Sequence, residues 1–240
     1  AAAAWVDKRE WDVPLLQAAG NDLTFMAVHS YWHNTGKPIR YKDTVRFHTG
    51  PEKTITSVIK IFDETGVRGK VKIAYDEWNL RHWYHPGFPR KGPVQPGDAK
   101  AAEFIAQRDR NADANQYTMA DAMFTASFLN ACLRHCDDVG MACIAPIINT
   151  RGPLYVHPKG VVRRTTFHVL AMYANLLESR VAGSEVGGDG VSKDGKSPGP
   201  VDAVATTDET GKRWAIAMIN REPDRPAVCT IKLAGKLPEG

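Results

Sequence analysis

What this chain lacks removes several function classes before any motif is read. No apolar run is long enough to span a bilayer, so no membrane segment is expected. It has no arginine-rich stripe and no basic-aromatic pattern, and its net charge of +4 is small for 240 residues. Nucleic acid is therefore not an expected partner. Only four cysteines occur, Cys132, Cys136, Cys143 and Cys229. The first two stand at helical i,i+4 spacing, which aims them poorly for a disulfide, so the set reads as small buried apolar residues. The histidine pairs His29/His33 and His82/His85 fall on strand or loop and not on one helix face, so no metal and no cofactor is expected. No secretory leader is visible, although the chain is expected to lack its true N-terminus; the reduced-looking cysteines make a cytoplasmic protein the expectation.

What is present is an ordinary globular composition, 43% apolar and 24% charged. Strand-like runs alternate with helical ones at the spacing of βα units. A strand is expected over 23–28, then a helix over 51–64 with Ile55, Val58, Ile59 and Phe62 on one face and Gly66 as its stop. A second strand ends near 79, and a long loop containing Pro86, Pro89, Pro93 and Pro96 follows it to about 116. The helix expected over 119–136 is apolar nearly all round and should be buried. A third strand starts at Val139, and a last helix is expected over 161–177. Glycines and scattered charges make 183–200 a linker, after which 201–206, 213–220 and 228–233 read as strands.

The stretch Val71-Lys72-Ile73-Ala74-Tyr75-Asp76-Glu77-Trp78-Asn79 carries the most chemistry. An apolar alternation of period two runs into two carboxylates, an indole and an amide. In (β/α)8 enzymes, the carboxyl ends of the strands bear the catalytic groups. A strict period of two turns Asp76 and Glu77 to opposite sides, so one of them faces a site and any partner carboxylate comes from another strand. Retaining glycoside hydrolysis needs such a pair roughly 5–5.5 Å apart. Trp78 beside a carboxylate suits the face of a sugar ring, whereas a solvated turn is the plain alternative for the Asp-Glu pair alone.

Ile73 to Asn79 resembles the strand-seven motif of the retaining α-L-arabinofuranosidases of glycoside hydrolase family 51, in which the Glu of an Asp-Glu-Trp-Asn run is the nucleophile. Upstream, Phe25-Met26-Ala27-Val28-His29-Ser30-Tyr31-Trp32-His33 is similar to that family's strand six. Downstream, Val139-Gly140-Met141-Ala142-Cys143-Ile144-Ala145-Pro146-Ile147-Ile148-Asn149 is similar to its strand eight. The resemblance covers roughly 11–185. It implies an α/β fold, a partial (β/α)8 TIM barrel over 1–182, followed by the linker at 183–200 and the start of an all-β sandwich over 201–240.

The activity implied is retaining release of terminal α-L-arabinofuranosyl groups from arabinose-containing glycans, without a cofactor. Glu77 would be the nucleophile and His29 would hydrogen-bond it and hold it ionised. Tyr31 would be the aromatic substrate contact, with Trp32 in its place if the register slips by one. Trp78, Trp83 and Asn149 would shape the pocket, Asn149 being equally suited to capping a turn, while Tyr84 and Phe88 read as loop anchors. A homo-oligomer is also implied.

Departures from the family pattern set further expectations. Arg163-Arg164-Thr165 stands where many members carry Arg-Gln-Thr, the Gln touching substrate. The Gly-Asn-Glu run that supplies the acid/base is absent. Gly20-Asn21-Asp22 superficially resembles it but precedes a strand and so lies at the opposite, stability face. Glu103, Asp109, Asp113 and Asp121 follow in or after the long loop with no pattern that sets them against Glu77. Three βα units cannot close an eight-stranded barrel, so the acid/base is expected from an N-terminal barrel half outside this chain, in the same or a second polypeptide. The alternatives are a barrel glycosidase acting on xylosides or β-glucans, and an arabinoglycan-binding remnant that does not hydrolyse.

Overall fold

A computed structural model describes residues 3–5, 8–32, 41–45, 49–80, 118–149, 152–188 and 199–233. Four strands, β1 (Ala3–Trp5), β2 (Phe25–Trp32), β3 (Lys72–Leu80) and β4 (Val139–Ile144), form one parallel sheet in that order. Three had been expected from the apolar pattern; the additional β1 is only three residues long and pairs with β2, setting Trp5 opposite His29. Five helices accompany the strands among the described residues: α1 (Arg9–Ala19), α2 (Tyr41–Val45), α3 (Thr49–Thr65), α4 (Met119–Arg134) and α5 (Thr165–Leu176). The pattern did not reveal α1, because Pro14 sits inside it and breaks the usual helical signature.

Helix α3 follows from its sequence. Ile55, Val58, Ile59 and Phe62 recur on one face and are buried. The helix stops at Gly66, whose φ of +70° is costly for any residue with a Cβ. There the Gly66 N–H reaches the Asp63 carbonyl at 3.3 Å and the Val67 N–H reaches the Phe62 carbonyl at 3.0 Å, the two bonds of a Schellman motif. Helix α4 starts with a capping box, in which the Thr118 hydroxyl accepts from Ala120 N and the Asp121 carboxylate accepts from Thr118 N at 2.8 Å. Most of α4 is buried, as its apolar circumference predicts.

The interior is aromatic. Trp32, Tyr75, Trp78, Phe124 and Phe128 meet between the sheet and α4, with Trp78 and Phe128 ring centroids 4.1 Å apart and Tyr75 edge-on to Phe128 at 5.3 Å. Each such pair adds about 0.5–1.5 kcal/mol beyond its buried area.

Beyond β4, a hairpin of β5 (Leu154–His157) and β6 (Gly160–Arg163) precedes α5. The helix expected from 161 therefore starts four residues later. Val161 and Val162 are β-branched and pair across the hairpin, which their restricted χ1 favours over a helix. A separate antiparallel sheet contains β7 (Arg180–Ala182), β8 (Val201–Thr207) and β9 (Trp214–Asn220). It starts at Arg180, inside the span expected for the barrel portion, because β7 pairs with β8. Residues 228–233 were expected as a further strand and form none; Val228 is fully exposed, and no strand lies beside it among the described residues to take its ladder. Three of the four cysteines, Cys136, Cys143 and Cys229, are exposed and only Cys132 is buried, against the expectation that all would pack inside.

An ionic chain ties α3 and α4 to the second sheet. Arg134 donates to Glu52 through Nε at 3.0 Å and to Asp202 through Nη1 at 2.6 Å, and His135 Nε2 lies 2.9 Å from Glu52 Oε2. The buried Arg221 pairs with the other oxygen of Asp202. Burial on its own would raise the Glu52 carboxyl, but the hydrogen bond with His135 and the Arg134 guanidinium outweigh it and hold the group at about 2.

Candidate active site

The site grows out of a register shift. Along β2, Met26, Val28 and Trp32 join the core, while His29 and Tyr31 remain half-buried on the other face in an unbroken period of two. On β3 the period breaks. Ala27 pairs with Ala74 and His29 with Glu77, so three steps on β3 answer two on β2. The partner β4 shows the same surplus, with Tyr75 opposite Ala142 and Trp78 opposite Ile144. One extra residue thus sits in β3 between Tyr75 and Trp78, a β-bulge. The core-facing residues run Ile73, Tyr75, Trp78, Leu80, slipping from odd to even numbers across it.

This shift corrects two expectations. Trp78, expected to shape the pocket, has 0% of its surface exposed and packs on Phe128 in the core. Asp76 and Glu77, expected on opposite sides, both reach one imidazole: His29 Nε2 lies 3.1 Å from Asp76 Oδ1 and His29 Nδ1 lies 3.6 Å from Glu77 Oε2. The second separation exceeds a hydrogen bond, so the bond expected between His29 and Glu77 is not formed. Tyr31 makes it instead, its phenol donating to Glu77 Oε2 at 2.7 Å. Trp32, the alternative to Tyr31, is a core residue. The side chains of Asp76 and Glu77 are 44% and 45% exposed, so the carboxylates open to solvent from the middle of β3, toward its carboxyl end.

The neighbouring residues brace this end. Asn79 is buried; its Nδ2 donates to the Ala145 carbonyl at 3.0 Å and its Oδ1 accepts from Leu80 N, locking the end of β3 to the end of β4. Asn149 adopts φ 53° and its Oδ1 accepts from Val156 N at 2.7 Å, the turn-capping alternative. The buried Arg164 donates to the Gly152 and Asn149 carbonyls at 2.8 and 3.3 Å and lies over the Tyr155 ring, so it pins this same turn. Gly152 allows the turn to close, since a Cβ there would stand 2.5 Å from the Ile147 carbonyl. Trp83, Tyr84, Phe88, Glu103, Asp109 and Asp113 lie outside the described residues. Asp121 caps α4, where burial raises its carboxyl to about 6. Gly20, Asn21 and Asp22 form the turn that enters β2, at the sheet's other end.

The profile of the family described as "Alpha-L-arabinofuranosidase C-terminal domain" matches residues 76–237, beginning at the Asp76–Glu77 pair. The chain belongs to this family. The resemblance to family 51 arabinofuranosidases read from the motifs is thereby borne out. Two curated relatives from Bifidobacterium longum are an intracellular exo-alpha-(1->5)-L-arabinofuranosidase, 24% identical over 94% of this chain, and an exo-alpha-(1->6)-L-arabinofuranosidase, 27% identical over 96% of it. The chain spans 42% and 44% of those two proteins, less than half their length. Among solved structures, the arabinose complex of the α-L-arabinofuranosidase from Thermotoga maritima superposes with a TM-score of 0.68 at 21% identity, covering 91% of this chain and 42% of that one. The family 51 enzyme from Thermotoga petrophila gives 0.67 at 23% identity. Over the matched part, this chain shares the fold of these two structures.

Family membership could be read from the Asp-Glu-Trp-Asn run, but the bulge within it could not. Asp76 is the site residue that sequence reasoning left unassigned, and the signal was its place beside Glu77 at a strand end.

Proposed function

We propose that this chain is the part of a retaining α-L-arabinofuranosidase that carries the nucleophile, Glu77. The single observation supporting this most is the Glu77 carboxylate, solvent-accessible in the carboxyl-terminal half of a parallel strand, with one oxygen held by the Tyr31 phenol at 2.7 Å. A fixed Oε2 leaves Oε1 to attack the anomeric carbon of a terminal arabinofuranosyl group. As the new C–O bond forms, the bond to the leaving oxygen breaks, and an acid gives that oxygen a proton. Water, deprotonated by the conjugate base of the same acid, then displaces Glu77 and restores its carboxylate.

The acid/base belongs to a glutamate outside this chain. Asp76 is unsuited to the role, since it is the chain neighbour of Glu77 within the same strand and is engaged by His29 Nε2. The parallel sheet is read as four strands of a (β/α)8 barrel and the antiparallel sheet as the start of a β-sandwich, which accords with the fraction of the relatives' length that the chain covers. The substrates are arabinose-containing glycans, and the relatives named intracellular favour action inside the cell.

The test is a panel of aryl glycosides offered to the complete protein, with the first-formed anomer read by proton NMR. Turnover of the α-L-arabinofuranoside with initial release of the same anomer is expected. Preference for an aryl xyloside or β-glucoside would overturn the sugar assignment, and initial release of the opposite anomer would overturn retention.

A further inference from the structure

The imidazole of His29 is placed between two consecutive carboxylates, an arrangement that a regular strand forbids and the bulge in β3 creates. The two contacts are unequal. Asp76 Oδ1 is 3.1 Å from Nε2, whereas Glu77 Oε2 is 3.6 Å from Nδ1 and already accepts from Tyr31. His29 is thus fixed at its Asp76 end, and the end facing Glu77 is left with the looser contact. If the ring turned over, ring carbons would take the places of both nitrogens and the closer contact would be lost, so Asp76 holds the ring in the orientation that turns Nδ1 toward Glu77.

We propose that Asp76 is a positioning residue for Glu77, acting through His29; this rests on the reading of Glu77 as the nucleophile. Asp76 itself need not touch the sugar. Its carboxylate keeps His29 Nδ1 turned toward Glu77 Oε2, and with Tyr31 on that same oxygen the imidazole completes the frame that leaves Oε1 free for attack. A frame of this kind acts on the step in which Glu77 bonds to carbon and not on the binding of substrate. The contact is partly exposed, and pairs of that kind contribute up to roughly fivefold in a rate.

The experiment is a double-mutant cycle in the complete protein with Asp76→Asn, His29→Gln and the pair, using an aryl α-L-arabinofuranoside whose good leaving group needs no acid. The rate of covalent labelling at Glu77 and the KM are measured together. Each single variant is expected to slow labelling about threefold to fivefold with KM unchanged, and the double variant to be no slower than the slower single. Independent effects that multiply, an unchanged rate in Asp76→Asn, or a change confined to KM would overturn the proposal. Asp76 is 44% exposed, so Asn is expected to fold; Asp76→Ser repeats the cycle if it does not. Glu77→Ala separates the two readings: labelling that persists in it removes the nucleophile assignment and the proposal with it, whereas multiplying effects with labelling abolished remove the proposal alone.

Discussion

Replacing Tyr31 by Phe deletes one oxygen and nothing else from the frame around Glu77. That oxygen donates to Glu77 Oε2 at 2.7 Å, a short hydrogen bond to a carboxylate. Hydrogen bonds to charged groups contribute about 1.5–3 kcal/mol when buried, and Glu77 is 45% exposed, which points to the lower end. At about 1.5 kcal/mol the expected loss is roughly tenfold in kcat/KM. It should fall on kcat, because the phenol orients the attacking carboxylate, and the ring that packs in β2 is retained. The assay is hydrolysis of an aryl α-L-arabinofuranoside by the complete protein, with thermal unfolding followed in parallel. A kcat/KM within twofold of the parent, at unchanged Tm, would refute the claim that Tyr31 holds the nucleophile. A tenfold rise in KM at constant kcat would refute it differently, by making Tyr31 a binding residue only.

Three other outcomes follow from the geometry. Asn149→Ala loses both the acceptor for Val156 N and a side chain tolerant of φ 53°, so stability should fall by about 1 kcal/mol with KM unchanged; a raised KM at unchanged stability would restore the sugar-contact reading. Trp78→Ala removes a fully buried indole and should cost about 3–5 kcal/mol in a denaturant titration, whereas a pocket-lining indole would instead change KM. Glu52 is depressed from 4.5 to about 2, so its contribution to stability is present above pH 4.5 and is lost as the pH falls toward 2. Discounted for the partial exposure of the Glu52–Arg134 pair, Glu52→Gln should destabilise the protein by about 2 kcal/mol at pH 7 and by little at pH 2, read as the difference in Tm between the two.

The parts of this molecule legible from sequence are those where one periodicity prevails. Helix α3 shows its apolar face and its glycine stop, α4 its all-round apolar surface, and β2 an uninterrupted alternation. A β-bulge leaves no mark in composition. The extra residue in β3 shifts every later side chain by one face, so a period counted from Val71 sends Trp78 to the pocket when it belongs to the core. The same blindness hid the meeting of Asp76 and Glu77 at His29. The hairpin β5–β6 was missed for another reason: Val161 and Val162 suit either a buried helix or a strand, and pairing with Tyr155 and Val156 decides between them. Exposure of Cys136 and Cys143 follows from where α4 ends and which face of β4 is uncovered, neither of which a residue's own hydrophobicity reveals.

The central claim is that Glu77 forms the covalent bond to the sugar. A slow fluorinated aryl α-L-arabinofuranoside, incubated with the complete protein and followed by intact mass and peptide mapping, tests it most directly. Trypsin releases the segment from Ile73 to Arg81, which contains both Asp76 and Glu77, so fragmentation must place the added mass within it. The account predicts one sugar per chain, on Glu77. Mass on Asp76, on another peptide, or no adduct while the aryl glycoside is still turned over would contradict it.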